Sequence, residues 1–175
     1  MIIIKDVRKI IWLLIVGLFT AVLLYPALHE LGHSLATLVF GGKVIEFHLL
    51  PLPNMLCDGS SVGNAGLVTI GLCGMLIPLL ISIPFKPKHF TLWYVMQLIK
   101  GISSLAFTLS LMSLFGRKFG FRIANDDIIT TLNFWPDGNA FFVIMMIALL
   151  ALAIYSICRQ QPIKRLYRYF EINEK

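Results

Sequence analysis

The chain has 175 residues, 58% of them hydrophobic and only 14% charged, with a formal charge of +6 and a mean hydropathy of +0.83. Soluble domains are about 45–50% apolar and about 25% charged, so these proportions exclude an ordinary soluble domain and indicate one integral membrane bundle. The basic residues collect at the two ends and in short connections, without aromatic interleaving or a nucleic-acid motif, so the expected partner is a lipid bilayer and not nucleic acid.

Residues 1–9 are a short lead carrying Lys5, Arg8 and Lys9. The lead imitates a signal peptide, but the apolar run behind it has no convincing small-residue cleavage site and reads as a retained membrane helix. That run, residues 10–40, would be about 45 Å long as a helix, against a hydrocarbon core of about 30 Å. One long span kinked at Pro26 accounts for the excess, because no polar turn residues surround the proline. Gly41 and Gly42 end it as C-cap glycines.

Inside the run lies His29-Glu30-Leu31-Gly32-His33, an H-E-x-x-H pattern. On a helix, histidines four apart share a face and can bind one zinc ion, and the glutamate beside the first can act as general base. Ionised side chains in a membrane helix each cost about 2.5–3.5 kcal/mol on insertion scales, so polar groups kept there point to function. The competing reading is a polar cluster that joins two helices by hydrogen bonds.

In residues 43–63, Ile45, Phe47 and Leu49 alternate with Val44, Glu46 and His48, a period-two strand signal, and Pro51, Pro53 and Asp58-Gly59 mark turns. A small β element at or dipping into the membrane surface is expected, with a free edge able to hold an extended peptide. Further spans are expected at 66–83, where Gly66, Gly71 and Gly74 permit close helix packing, and at 91–115, with Trp93 and Tyr94 as interfacial aromatics and Lys100 snorkelling. Asp126-Asp127 open a short helical stretch, Trp135-Pro136-Asp137-Gly138 interrupt it, and residues 139–158 form the last span. In the basic tail, 159–175, residues 163–171 are read as solvated, with a helix lying on the membrane surface as the alternative. Cys57, Cys73 and Cys158 are too scattered for a disulfide framework or a metal knuckle, and Cys73 and Cys158 read as small core residues.

The expected fold is therefore an all-α polytopic membrane protein, a single domain over residues 1–175 with about four transmembrane helices and a small β element between the first two. Both ends fall on one side, and the distribution of Lys and Arg makes that side cytoplasmic. A catalytic zinc site needs a third protein ligand and an open fourth position. The loop at 116–125 emerges on the same side as the end of the motif helix, so Asp126 and Asp127 can both meet the histidines if their segment dips into the bundle. Asp137 reads first as a turn residue and N-cap, Asp58 as turn chemistry, His89 as interfacial, and His48 as part of a polar strand face with Glu46.

His29-Glu30-Leu31-Gly32-His33-Ser34-Leu35-Ala36, followed by Gly41-Gly42-Lys43-Val44, resembles the first signature of the site-2 protease family of intramembrane zinc metalloproteases. The order that follows is also similar, and the resemblance covers roughly residues 10–158. It implies a zinc metalloendopeptidase with Zn2+ on His29, His33 and an aspartate, Glu30 as the catalytic base, and a membrane-protein or peptide substrate cut in or near its transmembrane segment. The family places its third ligand in an Asn-x-x-Pro…Asp-Gly signature. Asn125-Asp126-Asp127 lacks the proline and glycine, whereas in Asn133-Phe134-Trp135-Pro136-Asp137-Gly138 the aspartate directly follows the proline. Position favours Asp126, then Asp127; the letters favour Asp137. The short chain is closest to the minimal, divergent branch, and its expected place is the cell membrane of a prokaryote, as a multi-pass protein. The alternative is a catalytically inactive zinc-binding membrane scaffold or regulator of the same fold. A transporter would need charged groups on several spans, and 66–83 and 139–158 carry none.

Overall fold

The computed structural model describes residues 7–120 and 127–171. Its elements in chain order are α1 (Val7–Phe19), α2 (Tyr25–Val39), the strands β1 (Lys43–His48) and β2 (Asn54–Asp58), and then α3 (Asn64–Ser82), α4 (Phe90–Gly116), α5 (Asp127–Thr131), α6 (Asn139–Arg159) and α7 (Pro162–Glu171). Four stretches are long and apolar enough to cross a membrane: Val7–Val39, α3, α4 and the stretch containing α6. This is the expected four-span membrane protein with a small antiparallel sheet.

The first span is continuous through Pro26. Residues Thr20–Leu24 form a π-helical turn between α1 and α2, with the Tyr25 N–H donating to the Thr20 carbonyl five residues back. Pro26 lacks an N–H and its ring would strike a carbonyl one turn earlier, so the wider π register takes up the misfit where a kink was expected. The Thr20 hydroxyl, fully buried, bonds back to the Val16 carbonyl at 2.7 Å. At its other end the span stops as predicted. Gly41 adopts a left-handed φ of 81° and the Gly42 N–H reaches the Thr37 carbonyl at 2.9 Å, a six-to-one closure that only glycine makes cheaply.

β1 and β2 pair in antiparallel register, Lys43 opposite Asp58 and His48 opposite Asn54, with a bulge between Val44 and Glu46. Ile45, Leu50, Leu52 and Leu56 of this hairpin region are all more than half exposed, which suits an element dipping into lipid. Glu46 and His48 pair at 2.9 Å on its polar face. The carboxylate of Asp58 accepts from the Ser60 N–H at 2.9 Å; that bond holds its pKa below the usual carboxylate range, in keeping with a turn role.

The inner side of the bundle is built by α3, α4, α5 and α6. Met75, Leu79, Phe107, Leu114, Ile128, Leu132, Phe142 and Met146 form one buried cluster. The exposed apolar side chains of the spans, such as Leu14, Leu18, Leu105, Met112 and Ile144, face outward toward lipid. In lipid there is little hydrophobic gain from helix contact, so close packing between small residues carries association. The α2–α3 crossing shows this. Gly32 lies against the backbone of α3, and a Cβ there would collide with the Cys73 carbonyl.

Three details depart from expectation. Lys100 does not snorkel: it is fully buried, and its Nζ has no hydrogen-bond partner among the described residues. It shares the inward face of α4 with Trp93, Ser103, Phe107 and Ser110, at the three-, four- and seven-residue spacings of one helix face, so helical period rather than depth decides its environment. Trp93, expected among the interfacial aromatics, is buried in the protein, 2% exposed. Cys158 lies on the exposed face of α6 and is not a core residue.

Replacing Gly32 by alanine should force α2 and α3 apart. The expected cost is about 1–3 kcal/mol of stability, read as a lowered thermal midpoint in detergent; an unchanged midpoint would contradict this account of the crossing.

Candidate metal centre

α2 places His29 and His33 one turn apart on the face that meets α3. The imidazoles stand edge to face, with centroids 4.7 Å apart and planes at 84°. Their Nε2 atoms approach to 3.1 Å. The orientation of His33 is fixed from behind, since its Nδ1 lies 2.7 Å from the Ile70 carbonyl oxygen of α3. A carbonyl can only accept, so the Nδ1–H donates and the Nε2 lone pair is left facing the cluster. This is the outer-shell bond that metal-ligating histidines use to fix tautomer and ring angle.

That bond depends on Gly74. In a helix the Ile70 carbonyl already accepts from the residue four positions on, which is Gly74, and a side chain there would cover it. A Cβ at Gly74 would overlap the His33 ring. Gly74 thus makes the space for the imidazole, and the second lone pair of Ile70 receives it.

The third member is Asp127. Its Oδ2 lies 3.0 Å from His29 Nε2 and 3.4 Å from His33 Nε2. α5 is docked into the bundle by Ile128, fully buried, and Leu132, 4% exposed. Thr131 sits over Gly71 of α3, where a Cβ would collide with its hydroxyl, and the same hydroxyl donates to the Asp127 carbonyl at 2.6 Å. The segment therefore dips into the bundle, as the third-ligand reading requires.

Of the predicted ligands, the structure brings His29, His33 and Asp127 together as a group able to hold a metal ion. Asp126 lies outside the described residues. Asp137 is exposed in the 3-10 turn that opens α6 and is not in the cluster. Glu30 is half-buried and close enough to interact electrostatically with both histidines and Asp127. The roles of Gly74 and the Ile70 carbonyl were not predicted. The glycines of α3 were legible as packing residues, but nothing local marks the carbonyl that one of them uncovers.

The donor set fits a divalent transition metal. Ligands bound tetrahedrally at about 2.0–2.1 Å stand roughly 3.3 Å from one another, and the three separations here are 3.0, 3.1 and 3.4 Å. Two imidazoles and one carboxylate leave a fourth position of a tetrahedral ion open. His29, His33 and Asp127 also keep partial exposure, with side chains 23%, 11% and 29% accessible. No family model, curated protein or solved structure matches the chain.

Gly74→Ala is expected to displace the His33 ring and weaken binding of a divalent transition metal about 10–100-fold, the usual cost of losing an outer-shell partner, while the helical circular-dichroism signal is retained. Competition with a chromophoric chelator measures it, and wild-type affinity in that variant would contradict the role given to Gly74.

Proposed function

We propose that this protein is an intramembrane zinc metalloprotease, hydrolysing a peptide bond in or near a transmembrane segment of a membrane-protein substrate. The observation that carries the reading is the convergence of His29, His33 and Asp127 from two separate segments, with Glu30 beside them on α2. A packing cluster of polar groups has no need of three donors spaced for one ion, nor of a second carboxylate beside them. The resemblance of the motif and of the element order to the site-2 protease family supports the same reading.

Zinc supplies Lewis acidity in such a site, polarising a carbonyl oxygen and making water ionisable near neutral pH. Glu30 takes a proton from the attacking water as the C–O bond forms and passes it to the amine nitrogen as the C–N bond breaks. Asp127 supplies negative charge beside two neutral imidazoles, and Ile70 keeps His33 in the tautomer that can bind.

The substrate must present an unwound stretch, because a hydrogen-bonded helix hides its carbonyls. We assign its reception to the hairpin β1–β2. It is two-stranded, so each strand leaves an edge unpaired. It is also braced on the motif helix, where the Ser34 hydroxyl, one residue beyond His33, lies 2.8 Å from the Met55 sulfur of β2. An extended substrate added to one edge by backbone hydrogen bonds would have its carbonyls held near the metal centre. The cell membrane of a prokaryote is the proposed setting.

Glu30→Gln should abolish cleavage of a reconstituted transmembrane substrate while retaining wild-type zinc content. General bases typically contribute 10²–10⁴-fold, so the residual rate should fall at least about 100-fold. A variant that cleaves normally would remove the base assignment. Zinc binding without cleavage by the wild type of any single-span substrate tested would favour the inactive scaffold.

A further inference from the structure

The tail read as solvated forms a helix. Gln161, with φ at 48°, turns the chain sharply after α6, and α7 runs from Pro162 to Glu171. Its residues divide cleanly by face. Ile163, Leu166 and Tyr167 are exposed, at 83%, 38% and 48%, and share one stripe by their three- and four-residue spacing. Lys164 and Arg168, four apart, lie on another.

α7 is not loose. The Arg165 guanidinium donates to the Pro87 and Lys88 carbonyls at 2.6 and 3.0 Å, satisfying the backbone of the α3–α4 loop, and stands over the buried Trp93 ring at 4.9 Å. Tyr169 stacks on Phe90 with centroids 3.7 Å apart. The Lys9 ammonium donates to the Tyr169 carbonyl at 3.0 Å. The helix is thereby fastened across the ends of α1 and α4.

Between α7 and the loop lies a cavity of about 340 Å³ lined by Lys88, Lys164, Arg165, Arg168, Phe90 and Tyr169, together with the glutamines at the α6–α7 turn. Four cations and no carboxylate line it among the described residues. Concentrated like charge is unfavourable unless an anion offsets it. The place also identifies the anion. An amphipathic helix with a cationic face and an exposed apolar stripe lies at the headgroup level of a bilayer, where the abundant anion is a phosphodiester.

We propose that the cavity between α7 and the α3–α4 loop is a binding site for the phosphate of an anionic phospholipid. Lys88, Lys164 and Arg168 contact the headgroup, Arg165 is held in place by its two carbonyls, and the stripe of Ile163, Leu166 and Tyr167 rests on the acyl region. The site is remote from the metal centre and does not depend on the protease reading.

The test is lipid retention by the full chain in neutral detergent, counted by native mass spectrometry against equal dioleoylphosphatidylglycerol and dioleoylphosphatidylcholine. Wild type is expected to retain the anionic lipid preferentially. The double variant Lys164→Gln/Arg168→Gln changes only exposed side chains, and should lower that preference about thirtyfold, each interfacial cation being worth about fivefold. Lys88→Gln, on the other wall, should lower it about fivefold. Equal retention of the two lipids by wild type, or an unchanged preference in the double variant, would overturn the site. A thermal stabilisation by inorganic phosphate alone that matches the one from phosphatidylglycerol would overturn the lipid assignment and leave a free-anion site in its place.

Discussion

The hydrogen bond from His33 Nδ1 to the Ile70 carbonyl, 2.7 Å long, is the contact on which the centre depends. It can form only because α2 and α3 approach backbone to backbone, and they approach because each helix presents a glycine to the other at the crossing, Gly32 on α2 and Gly74 on α3. Both polar partners lie where an unsatisfied group would cost several kcal/mol. One bond therefore satisfies the histidine, selects its tautomer and fixes the angle between two spans.

The second constraint is the entry of α5. A five-residue helix has too few internal bonds to be stable alone, so its conformation is imposed by what surrounds it. Ile128 and Leu132 fill the inner cluster shared by α3, α4 and α6, and Thr131 caps Asp127 from within. Burial of two apolar side chains thus sets the depth of a carboxylate. The rigid elements do the positioning, and the exposed hairpin is braced on α2 through Ser34 and Met55.

Most of this architecture was legible in the residues. The four spans follow from length and apolar content, and the strands from alternation at Val44–Leu49 with turn residues behind it. The metal pair follows from H-E-x-x-H within an apolar run. Pro26 announced a disturbance in the first helix, but its form, a π turn absorbing the missing N–H, depends on how Thr20 and Tyr25 pack. The burial of Lys100 and Trp93 was not foreseen because position along a span suggests depth, whereas the inward face of α4 is fixed by helical phase against α6. Two adjacent aspartates could not be separated by spacing from a distant histidine; the burial of Ile128 on α5 sets where Asp127 stands beside the pair. The tail helix escaped because a basic, aromatic segment of ten residues folds only against partners, here Trp93 and Phe90, some seventy residues away in the chain.

The most direct measurement is the zinc content of the purified, detergent-solubilised protein, for wild type and for Asp126→Ala, Asp127→Ala and Asp137→Ala. The account predicts a full equivalent in the wild type, retained when Asp126 or Asp137 is replaced and lost when Asp127 is. Retention of zinc by Asp127→Ala, with loss in either of the other two, would contradict the centre described. A well-folded wild type that binds no zinc would reduce the cluster to a helix-packing contact and remove the basis for the protease.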